Sequence, residues 1–242
     1  MEVQMHGPAV ASIAVGKSVG VAPQADLYYI ATGDCGDATS FRDLDFSCRA
    51  KAIRRVVEIN KGLPENRKIR VLSMSIGWDP LSKGYDKITA AVNEAKEAGI
   101  FALSTSLSLT YDLNFHGLGR SPLPDPNDFW SYTPGLWWRD EFYQQGFSSP
   151  ALLVPMDSRT TARPTGIDDY VFYRQGGWSW AIPYLAGTYA LAVQVKPDIT
   201  PEQFWETALH TGKTIQIGHN GQDYEFGVIL DPQALIEAIK TK

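Results

Sequence analysis

A serine and a histidine stand in sequence settings where each could take part in nucleophilic catalysis. Ser179 follows the pair Gly176-Gly177 and opens a long apolar segment, so the sequence predicts that it lies at the N-terminal end of a helix. At such an end the backbone N–H groups and the helix dipole stabilise a developing oxyanion. His6 begins a short apolar segment, from which a histidine can act as general base to a serine brought close by the fold.

Both residues also have a plain structural interpretation. Serine is a preferred N-cap residue, and Ser179 could simply cap its helix. His6 could be an ordinary histidine near a frayed N-terminus. The other histidines show no partner pattern and no metal-ligand spacing; they are His116, His210 and His219.

The segments that must position these residues alternate between strand and helix patterns. Strands are predicted over Ala25–Ala31, Ile69–Ile76, Ile100–Leu103 and Ala151–Val154. Helices are predicted from near His6 to Val15 and over Ser47–Asn60, Tyr85–Ala98, Ser179–Val195, Pro201–Thr211 and Pro232–Lys240. This alternation predicts an α/β fold of three layers, with a doubly wound, mostly parallel sheet and helices on both faces.

Residues 107–149 break the alternation. This stretch carries four prolines and a dense set of Trp, Tyr and Phe residues without helical or strand periodicity. Because each aromatic ring gains free energy on burial, disorder is not expected. We expect an ordered excursion over one edge of the sheet, within a single domain spanning residues 1–242.

Composition narrows the class of protein. The 242 residues carry 22 Lys and Arg against 27 Asp and Glu, a net charge of −5, so no broad basic surface for nucleic acid is expected. No apolar run reaches the roughly 18 residues of a membrane-spanning helix, and the first residues lack the pattern of a secretory signal. We expect no nucleic-acid partner and no membrane partner, and the cellular compartment stays open.

The chain has two cysteines, Cys35 and Cys48. Two cysteines supply neither a disulfide scaffold nor a four-ligand zinc site. A single bridge is one interpretation, and two unpaired thiols is the one we favour from the sequence. Asp34, Asp37, Asp43 and Asp45 form a mildly acidic stretch, which we interpret as a solvated loop rather than a metal site.

Five fragments in one order resemble the signatures of the subtilisin-like serine peptidases, the subtilases. His6 begins His-Gly-x-x-Val-Ala, and Ser179 lies within Gly-x-Ser-x-Ala-x-Pro-x-x-Ala-Gly. Between and after them, Val19–Tyr28 is similar to the family's segment after the histidine helix, Ser73–Gly77 to its "NMSLG" strand, and Phe226–Asp231 to its closing segment. The resemblance covers nearly the whole chain outside residues 107–149.

The resemblance implies a role for each matching residue. Ser179 would be the nucleophile, with its own backbone N–H as an oxyanion donor, and His6 would be the general base. Ser75, Ile76 and Gly77 would offer backbone groups to a peptide laid alongside as an extra strand. Pro183 and Gly187 would serve the start and the close packing of the serine helix. The implied partner is a peptide or protein substrate.

The chain also departs from the family pattern. Subtilases carry the triad aspartate on a strand upstream of the histidine, and only five residues precede His6, so the N-terminus resembles an incomplete subtilase domain. In subtilisin itself, loss of that aspartate lowers kcat by roughly 3 × 10⁴. The family's oxyanion asparagine falls at Ser108, a shorter donor, and loss of the asparagine costs roughly 10²–10³ in rate. Bulky Trp178 and Trp180 flank the serine.

The sequence therefore predicts a subtilisin-like serine endopeptidase that is weak or inactive as given. The alternative is a pseudopeptidase that binds a peptide or protein partner without cleaving it, with the aromatic excursion as its recognition surface. An esterase using His210 or His219 would need Gly-x-Ser-x-Gly, but Ala181 occupies the last position. We expect no cofactor; calcium is suggested by the resemblance alone.

Overall fold

The computed structural model describes residues 5–32, 35, 43–147 and 150–241. Within these residues the chain divides into two compact units. The larger unit comprises residues up to 25 and from 113 onward, and the smaller unit comprises residues 26–112. Each unit is described by itself below.

The described residues form eight α-helices. They are α1 (His6–Val15), α2 (Ser47–Gly62), α3 (Tyr85–Glu97), α4 (Leu107–Tyr111), α5 (Arg139–Gln145), α6 (Trp178–Val195), α7 (Pro201–Thr211) and α8 (Pro232–Lys240). The nine strands are β1 (Val71–Met74), β2 (Phe101–Ser104), β3 (Phe115–Arg120), β4 (Tyr132–Pro134), β5 (Leu152–Pro155), β6 (Arg159–Ala162), β7 (Tyr170–Tyr173), β8 (Lys213–His219) and β9 (Gln222–Ile229). None of the described helices combines the length and apolar character needed to cross a membrane.

The larger unit is built on a five-stranded mixed sheet with the order β4-β3-β5-β9-β8. Its centre is parallel, because β5 pairs in parallel with both β3 and β9, whereas β4 and β8 join antiparallel at the edges. All four residues of β5 are buried, as expected for a central strand covered on both faces. A separate antiparallel pair, β6 with β7, belongs to the same unit.

Helix α6 carries Ser179 and runs through the interior of the larger unit. Its mostly apolar residues are buried all round, which favours a core helix over a surface helix. Helix α1 packs on it. The contact is close at Gly187, where an added Cβ would come within 3.1 Å of the Ala14 carbonyl oxygen of α1 and 2.7 Å of the Val21 Cβ beyond it. A larger residue there would push these segments away from α6.

The smaller unit pairs β1 with β2 in parallel and packs α2 and α3 together. Its core is one aliphatic cluster around Ile53, Val57, Ile88 and Val92, the apolar faces of the two helices. At the start of α2 the Asp45 carboxylate accepts the Ser47 N–H at 2.9 Å and pairs with Lys83 at 3.2 Å. The hydrogen bonds from the Ser47 hydroxyl and N–H, together with the Lys83 ammonium, lower the pKa of Asp45 to about 2. Asp45 is thus a local structural acid, while Asp34 and Asp37 lie outside the described residues.

One predicted strand is wrong. Residues Ala25–Ala31 form no strand among the described residues, although their β-branched and aromatic content suggested one. Leu27 and Tyr29 are 53% and 57% exposed. A strand is defined by a ladder partner, and that partner is not visible in local composition.

The aromatic stretch also differs from its prediction as an irregular excursion. Residues 107–149 contain α4, β3, β4 and α5, and β3 lies inside the five-stranded sheet rather than over its edge. The burial of the rings is confirmed for several of them: Trp138 and Phe142 are 6% and 3% exposed and share a core cluster with Phe226.

The expectation of two unpaired thiols is also wrong. Cys35 and Cys48 form a disulfide with a Cα–Cα distance of 5.4 Å, which lies within the usual range for such a bond. The two cysteines are 13 residues apart in sequence, and Cys48 is the second residue of α2. Spacing alone could not decide the pairing, because the distance between two cysteines is set by the fold.

Candidate active site

Ser179 is the second residue of α6 rather than its cap. The N-cap is Gly177, with an extended backbone at φ −147° and ψ 174°, and no side chain caps the helix. The plain interpretation of Ser179 as an N-cap is therefore wrong. The Ser179 N–H belongs to the first turn of α6, where the positive end of the dipole is strongest.

The turn before Ser179 is held tightly by glycine packing. An added Cβ at Gly176 would overlap with the carbonyl oxygen of Met156, directly after β5. Only a residue without a side chain fits this approach, which explains the first glycine of the pair. Pro183 lies within α6 and has no N–H, so the helix forms without the hydrogen bond that this position would otherwise donate one turn back.

His6 is the first residue of α1, and its ring contacts the residue that follows Ser179. The His6 and Trp180 ring centroids are 5.5 Å apart, at an interplanar angle of 40°. Trp180 is 6% exposed and also contacts Tyr173 at 5.4 Å between centroids. The fold thus brings the N-terminal ends of α1 and α6 together in one compact unit.

The His6 side chain keeps access to solvent on one side and is desolvated on the other. This partial desolvation lowers the pKa of His6 below its ordinary value. At neutral pH the imidazole is therefore uncharged, which is the form that can accept a proton. Among the described residues, no carboxylate forms a hydrogen bond or an ion pair with His6.

The other predicted site residues lie in the smaller unit. Ser75, Ile76 and Gly77 follow the end of β1 and are half-buried. The Ile76 N–H donates to the Met74 carbonyl at 2.7 Å, and its carbonyl accepts from the Thr105 N–H at 3.1 Å. Ser108 is exposed on α4. Their roles toward a substrate stay predictions.

Asp157 is a residue that the sequence analysis missed. Its carboxylate accepts a hydrogen bond from the Gly176 N–H at 2.7 Å, and burial raises its pKa above the ordinary value. Asp157 thereby ties the end of β5 to the turn that enters α6. The signal that could have found it is an acidic residue two positions after a buried strand.

Calcium is the one metal that the family resemblance suggests. The described residues contain no group of three or more His, Cys, Asp or Glu side chains placed to hold a metal ion.

Part of the chain matches a known protein family, and nearly the whole chain matches the fold of solved structures. The model of the subtilase family, peptidase family S8, matches residues 1–107. No protein of curated function matches the sequence. Among solved structures, the prenylagaramide maturation protease PagA has a TM-score of 0.62 at 18% identity, covering 98% of this chain and 83% of its own.

Two further structures show the same fold. The patellamide maturation protease PatA has a TM-score of 0.57 at 18% identity, covering 98% of this chain and 84% of its own. The subtilase cytotoxin SubAB has a TM-score of 0.64 at 13% identity, with coverages of 98% and 77%. Residues 1–107 thus resemble the subtilase family, and the chain has a mixed α/β subtilisin-like fold.

Proposed function

We propose that this protein is a subtilisin-like serine endopeptidase, with Ser179 as nucleophile and His6 as general base. The observation that carries the proposal is the contact between the His6 ring and Trp180, the neighbour of Ser179, at 5.5 Å between centroids. It joins the two family motifs, which lie more than 170 residues apart in sequence, at the ends of two packed helices.

The chemistry follows from the residue types. His6, uncharged at neutral pH, takes the proton of the Ser179 hydroxyl as its oxygen attacks a peptide carbonyl. The oxyanion that forms is stabilised by the Ser179 N–H at the start of α6. His6 then returns the proton to the leaving amine, and water releases the acyl group in a second round of the same steps.

The remaining roles come from the family resemblance. It assigns Ser108 as a second oxyanion donor and Ser75, Ile76 and Gly77 as the backbone strand that holds an extended peptide. The maturation proteases PagA and PatA share the fold, which supports a peptide or protein as the substrate. We also propose that the fold has the three layers expected from the sequence.

The described residues place no carboxylate on His6, which limits the expected rate. Without a carboxylate on His6, activity should fall toward the level of subtilisin that lacks its triad aspartate, a loss of roughly 3 × 10⁴ in kcat. The described residues supply no such carboxylate. This observation favours one second candidate, a pseudopeptidase that keeps the peptide-binding fold and has lost cleavage.

A covalent probe separates these two functions. We expect a fluorophosphonate to add once to the folded protein, as read by intact mass, and the adduct to disappear in Ser179→Ala and to form more slowly in His6→Ala. Ser121→Ala, in an exposed loop, serves as the matched control and should label like the wild type. Circular dichroism checks that each variant is folded.

Either outcome of the labelling is informative. An adduct that depends on Ser179 supports the endopeptidase. A folded wild type that stays unlabelled over a day at millimolar probe, or an adduct that persists in Ser179→Ala, contradicts it and favours the pseudopeptidase.

A further inference from the structure

A cavity of about 120 Å³ lies in the larger unit between β3 and α5. One water needs about 10–15 Å³ of such space, so the cavity is large enough for several waters or for the end of a side chain. Its walls include His116 from β3, with Trp138, Glu141, Phe142 and Phe147 from α5 and its flanks. Neither the family motifs nor the proposed chemistry uses these residues.

One residue of the cavity wall has a buried polar atom without a partner. The Nδ1 atom of His116 is buried and forms no hydrogen bond with any described residue. A buried polar group left unpaired is unfavourable, so an occupant able to pair with it is stabilised. Burial lowers the pKa of His116, with Glu141 acting in the opposite direction, so the ring is neutral near pH 7 and Nδ1 can accept a hydrogen bond.

The remaining walls combine aromatic rings with Asn114, Gly146 and one negative charge. The His116 ring lies 4.7 Å from Trp138 and 5.8 Å from Phe147 between centroids, and Phe142 lies 5.1 Å from Phe147. Glu141 stands at the exposed side, and no lysine or arginine lines the cavity. Aromatic faces and a carboxylate both attract a cation, and a neutral imidazole nitrogen accepts from its N–H groups.

We propose that this cavity binds a guanidinium or alkylammonium group, with an N–H donating to His116 Nδ1, the charge facing Glu141 and the alkyl stem packing on the aromatic rings. The cation is carried either by a free amine or by a basic side chain of a peptide. The inference that it belongs to a peptide substrate rests on the proposed function. It is supported by Trp178, which precedes Ser179 and lies 6.0 Å from His116 between ring centroids.

Calorimetric titration of the folded protein tests the charge requirement. Butylguanidine carries the cation, and butylurea is its neutral isostere. We expect butylguanidine to bind about tenfold more tightly than butylurea, as charge-assisted hydrogen bonds and cation–π contacts predict. Equal affinities, or no binding of butylguanidine up to about 10 millimolar, would overturn the proposal.

Two variants assign the contacts. Glu141→Gln keeps the size of an exposed side chain, and we expect it to remove most of the preference for the cation. Asp140→Asn is the matched control, because Asp140 is the neighbouring exposed acid, pairs with Arg139 and does not line the cavity. An unchanged preference in Glu141→Gln, or an equal loss in both variants, contradicts the assignment.

The role of His116 is tested on the unaltered protein, because replacing this residue could disturb the core. We expect butylguanidine to shift the NMR resonances of the His116 ring and to leave those of His210, which is exposed, unchanged. Shifts at both rings, or at neither, contradict binding in the cavity.

The source of the cation is tested with a peptide. Blocked Ala-Arg-Ala is compared with butylguanidine, since tighter binding of the peptide indicates a peptide side chain and equal binding indicates a free cation.

The link to catalysis is tested separately. All titrations are repeated on Ser179→Ala, which should bind as the wild type does. Cation binding without probe labelling would then overturn only the proposed function, and labelling without cation binding would overturn only this inference.

Discussion

The carboxylate of Asp157 accepts a hydrogen bond from the Gly176 N–H at 2.7 Å, across the turn that leads into the helix of Ser179. The same carboxylate also accepts from the backbone N–H of Arg120, the last residue of β3. One side chain therefore connects the central sheet to the loop before the candidate nucleophile.

This relationship predicts a positioning role for Asp157. Asp157→Ala leaves the Gly176 N–H without its acceptor, which should lower the free energy of unfolding by about 1–3 kcal/mol. It should also slow probe labelling at Ser179, because the turn loses its anchor. Asp157→Asn keeps an acceptor oxygen and should recover most of both effects. Urea unfolding and the labelling rate measure them.

The control for Asp157 is Asp168→Ala, at an exposed position. It should leave both the stability and the labelling rate within experimental error of the wild type. If Asp157→Ala destabilises the protein but labels at the wild-type rate, the carboxylate is structural only.

The lowered pKa of His6 predicts the pH dependence of labelling. Only the neutral ring accepts the Ser179 proton, so the rate should be at its plateau near pH 7 and fall as the pH drops through the pKa of His6. Because desolvation lowers that pKa, the midpoint should lie below the ordinary value of about 6.5. Labelling rates between pH 4.5 and 8.5 give the midpoint.

A midpoint above 6.5 would contradict this prediction, and it would indicate a carboxylate that stabilises the charged ring. His210→Ala, at an exposed position, should leave the profile unchanged. Circular dichroism at each pH separates titration of the site from unfolding.

The disulfide predicts a redox-dependent stability. The bond closes a loop between Cys35 and Cys48, 13 residues apart, and a loop of this size is worth about 3 kcal/mol through the entropy of the unfolded chain. Cys35→Ser with Cys48→Ser, or reduction of the wild type, should lower the unfolding free energy by about that amount. Urea unfolding with and without reductant measures it.

Alkylation provides the control for the disulfide. Because the chain has only these two cysteines, the denatured protein should take up no iodoacetamide before reduction and two adducts after it. Uptake before reduction would show that the thiols are unpaired.

The helices could be predicted well from the sequence because their signals are local. Thr200 precedes Pro201 and forms a capping box with Gln203, and Asp231 caps the helix that begins at Pro232. Helices α7 and α8 have the predicted bounds. The helix that carries Ser179 was predicted from its apolar run and begins one residue earlier.

The strands were harder to predict because pairing is not local. Residues 25–31 have strand-like composition and form no strand, whereas β3 was hidden in an aromatic stretch. The β8–β9 hairpin was missed although its turn, Asn220-Gly221, carries the usual signal and has positive φ at both residues.

The amino-acid sequence by itself determined the family motifs, six of the eight described helices and the two candidate catalytic residues, since each depends on residue type and short-range spacing. The tertiary structure decided the rest. Only the tertiary structure pairs Cys35 with Cys48, places Asp157 against Gly176 and brings His116 and Glu141 to one cavity. These contacts join residues far apart in the chain or on different elements, and their distances are set by how the elements pack.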